Sequence, residues 1–421
     1  PPGDYRFGTT RKGEDSFILE DMDRDGKTPF RILGYGATLW FDLRDGPLPF
    51  EVSYMVRLTR CSNVTLEGVI IDSDPQGDME GRITAFDFAG NRIQIEPLEG
   101  TRLLTAPPDP NRPGKLFGTN RIIPFKANGR NIPACFQIKD KVWGPMSQLY
   151  NNFTIDEDGK YWLELRETYL LDTINDPTWR EVYGPEGTLE IGDVVLVLWS
   201  SENSIYLHDC KQITVRDVKV YCKSFTGQDG YGDHKWFNCR FTPRPGSNHL
   251  LGGEGGMSSE CEVGSLIDGQ VWHRTIDDPY NIRAVWRYVE SIDGHRVTFK
   301  QLQGLPVRNR WLFDRGDKAE FYDVATKQLI GVFTVDSAEV ETRTVTFQEP
   351  LDGVQENDGA VFPRYQNNGW VVRNCLFIDC FQRFLIHAGD NGVFENNRME
   401  RFGSNPLQIF PGLCKQIEGG L

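Results

Sequence analysis

The chain has 421 residues, with 46 Lys and Arg against 60 Asp and Glu, a net charge of -14, 39% hydrophobic and 25% charged residues, and 10 Trp, 14 Tyr, 26 Phe and 43 Gly. That composition excludes a disordered, collagen-like or coiled-coil chain, and an acidic protein repels nucleic acid. No apolar run approaches the roughly 20 residues that cross a bilayer, so no membrane span is expected. Residues 1–20 lack the basic-then-apolar plan of a signal peptide, which reads as a processed chain.

In chain order, residues 1–72 are expected to begin a β-solenoid. CSNVTLEGVIID (61–72) alternates apolar and polar residues over short stretches and contains Gly and Asn at turn positions. Residues 73–203 break that pattern with strand pairs such as GRITAFDFAGNRIQIEP and GKYWLELRE and a Pro-rich loop, TAPPDPNRPGKL, and read as a β-rich insert. The short-strand pattern resumes over 204–283. Asp217 and Asn238 recur at matching places in TVRDVKVYC and KWFNCRF, and the next coil is VGSLIDGQVW, with Gly264 in the Asn place. Residues 284–368 hold hairpin-like pairs, among them AVWRYVESIDGHRVTFKQL with its Asp-Gly turn, and read as a small antiparallel barrel. Residues 369–421 return to the repeat, with Asn374 and Asn396 at matching places in VVRNCLFIDC and VFENNRMERF. A period of about 22 residues without helix-length amphipathic runs signals a solenoid. The expected fold is all-β: a right-handed parallel β-helix with inserted antiparallel barrel-like domains, which either decorate one side of the solenoid or wall a cleft.

Nine cysteines cannot all pair within the chain, and no CxxC metal spacing occurs. Asn238-Cys239 and Asn374-Cys375 share a context, which predicts buried thiols at equivalent places of successive coils. A disulfide between close ones stays open.

A solenoid turns sequence offset into stacking, because neighbouring coils lie about 4.8 Å apart. The offset that leads from Gly264 to Asp277 also leads from Asn374 to His387, so His387 is expected above Asp277. Asp217 leads to Asp229 and Asn238 to Glu254. One column is therefore expected to gather Asp229, Glu254, Asp277, Asp278 and His387. A lone corner carboxylate caps a turn; stacked ones raise one another's pKa and invite a cation or a reaction. Trp272, His273, Tyr280 and Arg283 surround the Asp pair, and glycines surround Glu254. Two carboxylates about 6.5 to 9.5 Å apart suit inverting glycoside hydrolysis.

The chain resembles glycoside hydrolase family 110. The likeness rests on Pro1-Pro2-Gly3-Asp4-Tyr5, on VTLEGVIIDSDPQGDMEGRI (64–83), on the strand, Asp277-Asp278-x-x-Asn281, barrel order, and on FENNRMERFGSNPLQIFPG with Ile417-Glu418-Gly419. It implies inverting, metal-independent exo-α-1,3-galactosidase chemistry on a β-helix with barrel inserts. Glu254 stands where the family has Asp, and Ile282-Arg283 replaces its His-Gly. By this resemblance Asp277 is the general acid and Glu254 with Asp278 the water-activating pair, with exchanged roles left open. Asp229, Trp272, His273, Asn281, Arg283, His387 and Glu418 are the candidate substrate contacts. No cofactor or metal is expected; the partner is an oligosaccharide or polysaccharide, and a homo-oligomer is compatible with the sequence. A glycan substrate suggests a secreted or periplasmic setting.

Two other readings stay open. A polysaccharide lyase would need Ca²⁺ on the acidic column and a base, for which Arg283 is the candidate. A non-catalytic glycan-binding β-helix would bind without turnover. Fold analogy alone supports no activity.

Overall fold

A computed structural model of the protein describes residues 2–7, 17–22, 29–42, 53–75, 78–101, 103, 121–130, 136–138, 141–143, 148–165, 169–197, 202–221, 226–246, 255–275, 277–284, 286–300 and 313–409. Three long parallel sheets, two of eight strands and one of seven, run the length of the molecule. Each coil contributes one short strand to each sheet in turn. Thr214–Arg216, Lys219–Val220 and Thr226–Gly232 form one coil, and Lys235–Phe237, Arg240–Phe241 and Gly256–Val263 the next. The fold is a parallel β-helix.

Strands this short turn sharply, and the turning residues are those that tolerate a left-handed backbone. Asp217, Asn238, Asn374 and Asn396 have φ between 52° and 56° and sit at one corner of four coils, each just after a register pair of the seven-stranded sheet. In the coil between Asn238 and Asn374, that corner belongs to Gly269 (φ 71°), since Phe237, Asp268 and Arg373 pair in register. The expectation for Gly264 therefore placed the corner too early in the chain. Gly264 precedes its strand at the preceding corner, where Gln212 and Asp233 stand in earlier coils.

Alternate residues point into the coil and bury a continuous interior, which includes Val56, Leu58, Ile205, Leu207, Val215, Phe241, Ile282, Phe377 and Ile386. Cys61, Cys210, Cys239, Cys261, Cys375 and Cys380 are buried thiols. Cys239 and Cys375 each follow the same corner and donate to backbone carbonyls. Cys135, Cys222 and Cys414 lie outside the described residues.

Both long interruptions close into six-stranded antiparallel barrels, the first with strands from Met79 to Val197 and the second from Arg287 to Val361. Two short helices, Tyr169–Asn175 and Pro177–Tyr183, pack Leu171, Ile174 and Trp179 into the first barrel's core. Asp176 caps the second by accepting from the Thr178 and Trp179 N–H groups. Neither helix was expected from the sequence, because each is too short to show an extended periodicity.

The first barrel is inserted at the corner that leads into the sheet of Tyr280–Arg283, and the second at the corner that leads out of it. Phe381, in a β-helix turn, belongs to the first barrel's core and lies 6.5 Å from Phe125. Arg274 donates to the Asn128 carbonyl at 3.2 Å. The second barrel begins directly after the strand Tyr280–Arg283. Its Arg287 pairs with Glu260, and both are almost fully buried. Arg364 pairs with Glu262 at 2.7 Å.

Candidate functional site

The sheet that carries Thr226–Gly232, Gly256–Val263, Tyr280–Arg283 and Phe384–Ile386 presents its second face to the space beside both barrels. Its register is fixed: Leu207, Gln228, Ser258 and Ile282 pair in succession, and Ile282 pairs with Ile386. These residues face the interior. Since neighbouring residues on a strand point to opposite sides, the next position forms an outward row of His208, Asp229, Ser259, Arg283 and His387. One strand position behind lie Tyr206 and Asn281 on the same face. Asp229, Ser259, Arg283, His387, Tyr206 and Asn281 are nonetheless buried. A buried polar row on the outside of a solenoid is a feature that hydrophobic packing does not require.

Asp229 and His387 thus share a column, as expected, but the members between them differ from the expectation. Ser259 and Arg283 stand there, and His387 lies above Arg283, with its backbone N–H donating to the Ile282 carbonyl at 2.7 Å. Counting from Gly269 in place of Gly264, with the turn before Tyr280 slightly longer, restores the alignment.

Asp277 and Asp278 lie in the turn that leads into Tyr280–Arg283, both half-buried. The Asp278 N–H donates to Asp277 Oδ1 at 2.9 Å, and the Thr275 hydroxyl donates to the Asp277 carbonyl at 3.3 Å. Gly255 packs against this turn so closely that an added Cβ would lie 1.8 Å from the Asp278 carbonyl oxygen. Glycine is therefore obligatory immediately after Glu254. Glu254 itself, and Glu418, lie outside the described residues.

Asn281 is 8% exposed, and its Oδ1 has no hydrogen-bond partner among the described residues; the same holds for the Ser259 hydroxyl at 0% exposure. Leaving such an atom unsatisfied costs about 1–3 kcal/mol. Both are buried polar atoms that hydrophobic packing does not account for.

Asp229 accepts from the Tyr206 hydroxyl, from the Asp209 N–H at 3.2 Å, and lies 2.8 Å from His208 Nδ1. Its carboxylate is thus engaged, and His208 is the group it orients. The rings of Tyr54 and Tyr206 stack with centroids 4.4 Å apart, and His208 stacks on Tyr206 at 5.7 Å, making an aromatic shelf at this end of the row. Tyr206, His208, Asp209 and Ser259 were not singled out in the sequence. His208 stands one period before Asp229, so the repeat itself held that signal.

Two expected substrate contacts are corrected. Trp272 is wholly buried inside the coil; it stacks on Phe241 at 3.8 Å and donates to Gln270 Oε1 at 2.9 Å. Its strand has interior parity, which no composition argument reveals. His273 lies on a different sheet, 3.3 Å from Asp379 Oδ2. Asp379 also takes a bidentate contact from Arg401 at 2.7 and 3.0 Å. Burial pushes the Asp379 pKa up, but His273 and Arg401 outweigh it and hold the carboxyl at about 2. His273 belongs to a corner ladder that fastens successive coils.

An open pocket of about 430 Å³ on the first barrel, lined by Phe88, Asn91, Leu171, Asp172 and Asp176 among others, shares no residue with this row. No helix of the described residues is long and apolar enough to cross a membrane. Compared with known proteins, the chain matches no family model and no curated protein.

Proposed function

We propose that the chain is an inverting glycoside hydrolase that cleaves an α-linked, galactoside-like sugar from a glycan in the space beside the outward row. The observation that carries this reading is the carboxyl pair Asp277-Asp278 at the start of the strand whose outward residues, Asn281 and Arg283, lie in a buried polar face between two barrels. Hydrophobic folding alone would not retain such a face.

In this reading Asp277 protonates the glycosidic oxygen as the bond to the anomeric carbon breaks. Asp278, with Glu254, takes a proton from the water that attacks the opposite side of that carbon, which inverts it. The Asn281 Oδ1 atom accepts from a sugar hydroxyl, Arg283 and His387 supply polar contacts, and the Tyr206 face offers an apolar platform for a sugar ring. A glycan substrate suggests a secreted or periplasmic setting.

A second reading, a polysaccharide lyase, draws support from Arg283, which stands in the row beside His387 and would serve as the base. The test is product analysis on a panel of α-galactosides, α-glucosides and acidic polysaccharides, with the intact chain and with Asp277→Asn. Reducing-sugar release lost in the variant supports the hydrolase. Calcium-dependent unsaturated products support the lyase, and saturable binding with no turnover on any glycan bound would point to a non-catalytic binder.

A further inference from the structure

The Cys61 and Cys210 thiols stand side by side on neighbouring coils. Thr59 pairs in register with His208, and Ser62 with Lys211, so the count between them sets Cys61 opposite Cys210. The backbone fixes that match on both sides. The Arg60 N–H donates to the His208 carbonyl at 2.8 Å, and the Lys211 N–H to the Cys61 carbonyl at 2.9 Å. Each cysteine directly follows a left-handed corner residue, Arg60 with φ 52° and Asp209 with φ 50°, and both side chains join the coil interior. Neighbouring strands lie about 4.8 Å apart, within the roughly 4.4–6.8 Å between Cα atoms that a disulfide spans.

The sulfurs approach each other as well. Cys210 Sγ lies 3.4 Å from the Leu58 carbonyl oxygen, which belongs to the coil of Cys61. Once Cys61 ionises, the Cys210 thiol donates to its sulfur. That hydrogen bond, opposed by burial, lowers the Cys61 pKa to about 7, while burial pushes the Cys210 thiol up. The thiolate is the nucleophile of disulfide exchange, and one whose pKa lies near ambient pH attacks best.

Cys239 and Cys375, which recur in the sequence, are not placed this way. The coil of Gln270 lies between them, since the Val271 N–H donates to the Cys239 carbonyl and the Leu376 N–H to the Gln270 carbonyl. Two coil spacings, about 9.6 Å, exceed the roughly 7 Å that a bridge tolerates.

A bond between Cys61 and Cys210 would also close a long loop. The chain between them forms the first barrel, with strands from Met79 to Val197, so the two coils are neighbours in space but far apart in sequence. Such a cross-link removes more freedom from the unfolded chain than a short-range one.

We propose that Cys61 and Cys210 are a redox site, oxidised to a disulfide that ties together the two coils flanking the first barrel. Both thiols are buried in the folded chain, so the reaction belongs to folding, before the coils close. Its oxidant is a small-molecule disulfide such as oxidised glutathione. The Cys61 thiolate attacks one sulfur of the oxidant, forming a mixed disulfide and releasing one thiolate. Cys210 then gives up its proton and attacks the Cys61 sulfur, releasing the second. The pair loses two electrons and two protons, and the oxidant's S–S bond becomes two thiols. The inference does not depend on the glycosidase reading, since Asp277 and Asp278 take no part.

The experiment refolds the reduced, unfolded full chain in a mixture of oxidised and reduced glutathione. Remaining thiols are then blocked with N-ethylmaleimide under denaturing conditions, and the digest is mapped by mass spectrometry without reductant. The expected result is a dominant linked peptide joining Cys61 to Cys210, lost on reduction, with Cys239 and Cys375 carrying the label. Reductant is expected to lower the melting temperature of the oxidised chain by roughly 5 °C and to leave that of Cys210→Ser unchanged. Should refolding fail, the same mapping on chain exported to an oxidising compartment during expression decides. Label on both Cys61 and Cys210 in the oxidised sample, or a linked peptide joining either to a different cysteine, overturns the proposal. So does a melting temperature that reductant leaves unchanged, because the bond would then tie nothing together.

Discussion

Arg283 and His387 occupy equivalent places on successive coils, because Ile282 and Ile386 pair directly and both following side chains turn outward. Two basic side chains therefore end a row that begins with His208 and Asp229. A flat guanidinium there makes directed contacts that an ammonium cannot reproduce. Arg283→Lys is expected to lower kcat/KM on the preferred glycan by about tenfold or more, a loss of about 1.4 kcal/mol, with little change in melting temperature. Steady-state kinetics beside a thermal melt separates the two.

Asn281 sets binding against stability. Its buried Oδ1 without a partner is a cost of about 1–3 kcal/mol to the unliganded protein, so Asn281→Ala removes a penalty while leaving a small void. The expected outcome is an unchanged or raised melting temperature together with at least a tenfold loss of kcat/KM. A variant that loses stability and keeps activity would assign Asn281 to the scaffold.

The Glu260–Arg287 pair joins a β-helix bulge to the first strand of the second barrel, and Arg287 lies over the rings of Phe313 and Phe362 at 4.9 and 5.4 Å. Glu260 sits at the register shift opposite Asp229 and Gly230. Glu260→Gln removes the charge paired with a buried guanidinium and is expected to destabilise by about 3–5 kcal/mol. Chemical denaturation followed by tryptophan fluorescence measures it; a change below about 1 kcal/mol would show that the cation–π contacts suffice.

His234 gives the pH prediction. Burial, opposed by the charge of Asp229, lowers its pKa from 6.5 to about 3, so the folded state holds the ring neutral. The unfolded chain takes up the proton first as pH falls. Stability from this group is therefore complete above pH 6.5 and lost as pH drops towards 3, with a limiting slope of about 1.4 kcal/mol per pH unit. Melting temperatures between pH 7.5 and 4.5 should fall more steeply for the intact chain than for His234→Asn. Parallel profiles would remove His234 from the account.

Much of the architecture was legible because its determinants are local. Asn and Asp at Asp217, Asn238, Asn374 and Asn396 mark left-handed corners that few other residues tolerate, and the broken period marked both insertions. The side of the sheet was not legible at Trp272, because inward and outward positions look alike until the register is known. The Gly264 error had the same root: two corners per coil accept glycine, and choosing the wrong one shifted the column from Arg283 to Asp277. His208 and Asp209 were missed because the column was counted forward from corner residues beginning at Asp217 and did not reach back to the coil before it, although His208 stands one period before Asp229.

The central claim is that Asp277 and Asp278 carry inverting hydrolysis, and the most direct measurement is the anomer first released, followed by proton NMR on an α-galactoside with the intact chain, Asp277→Asn and Asp278→Asn. The account predicts the β-anomer first, and turnover reduced by about 10²–10⁴-fold in each variant with the fold retained. Early release of the α-anomer, or full activity in both variants, would contradict it.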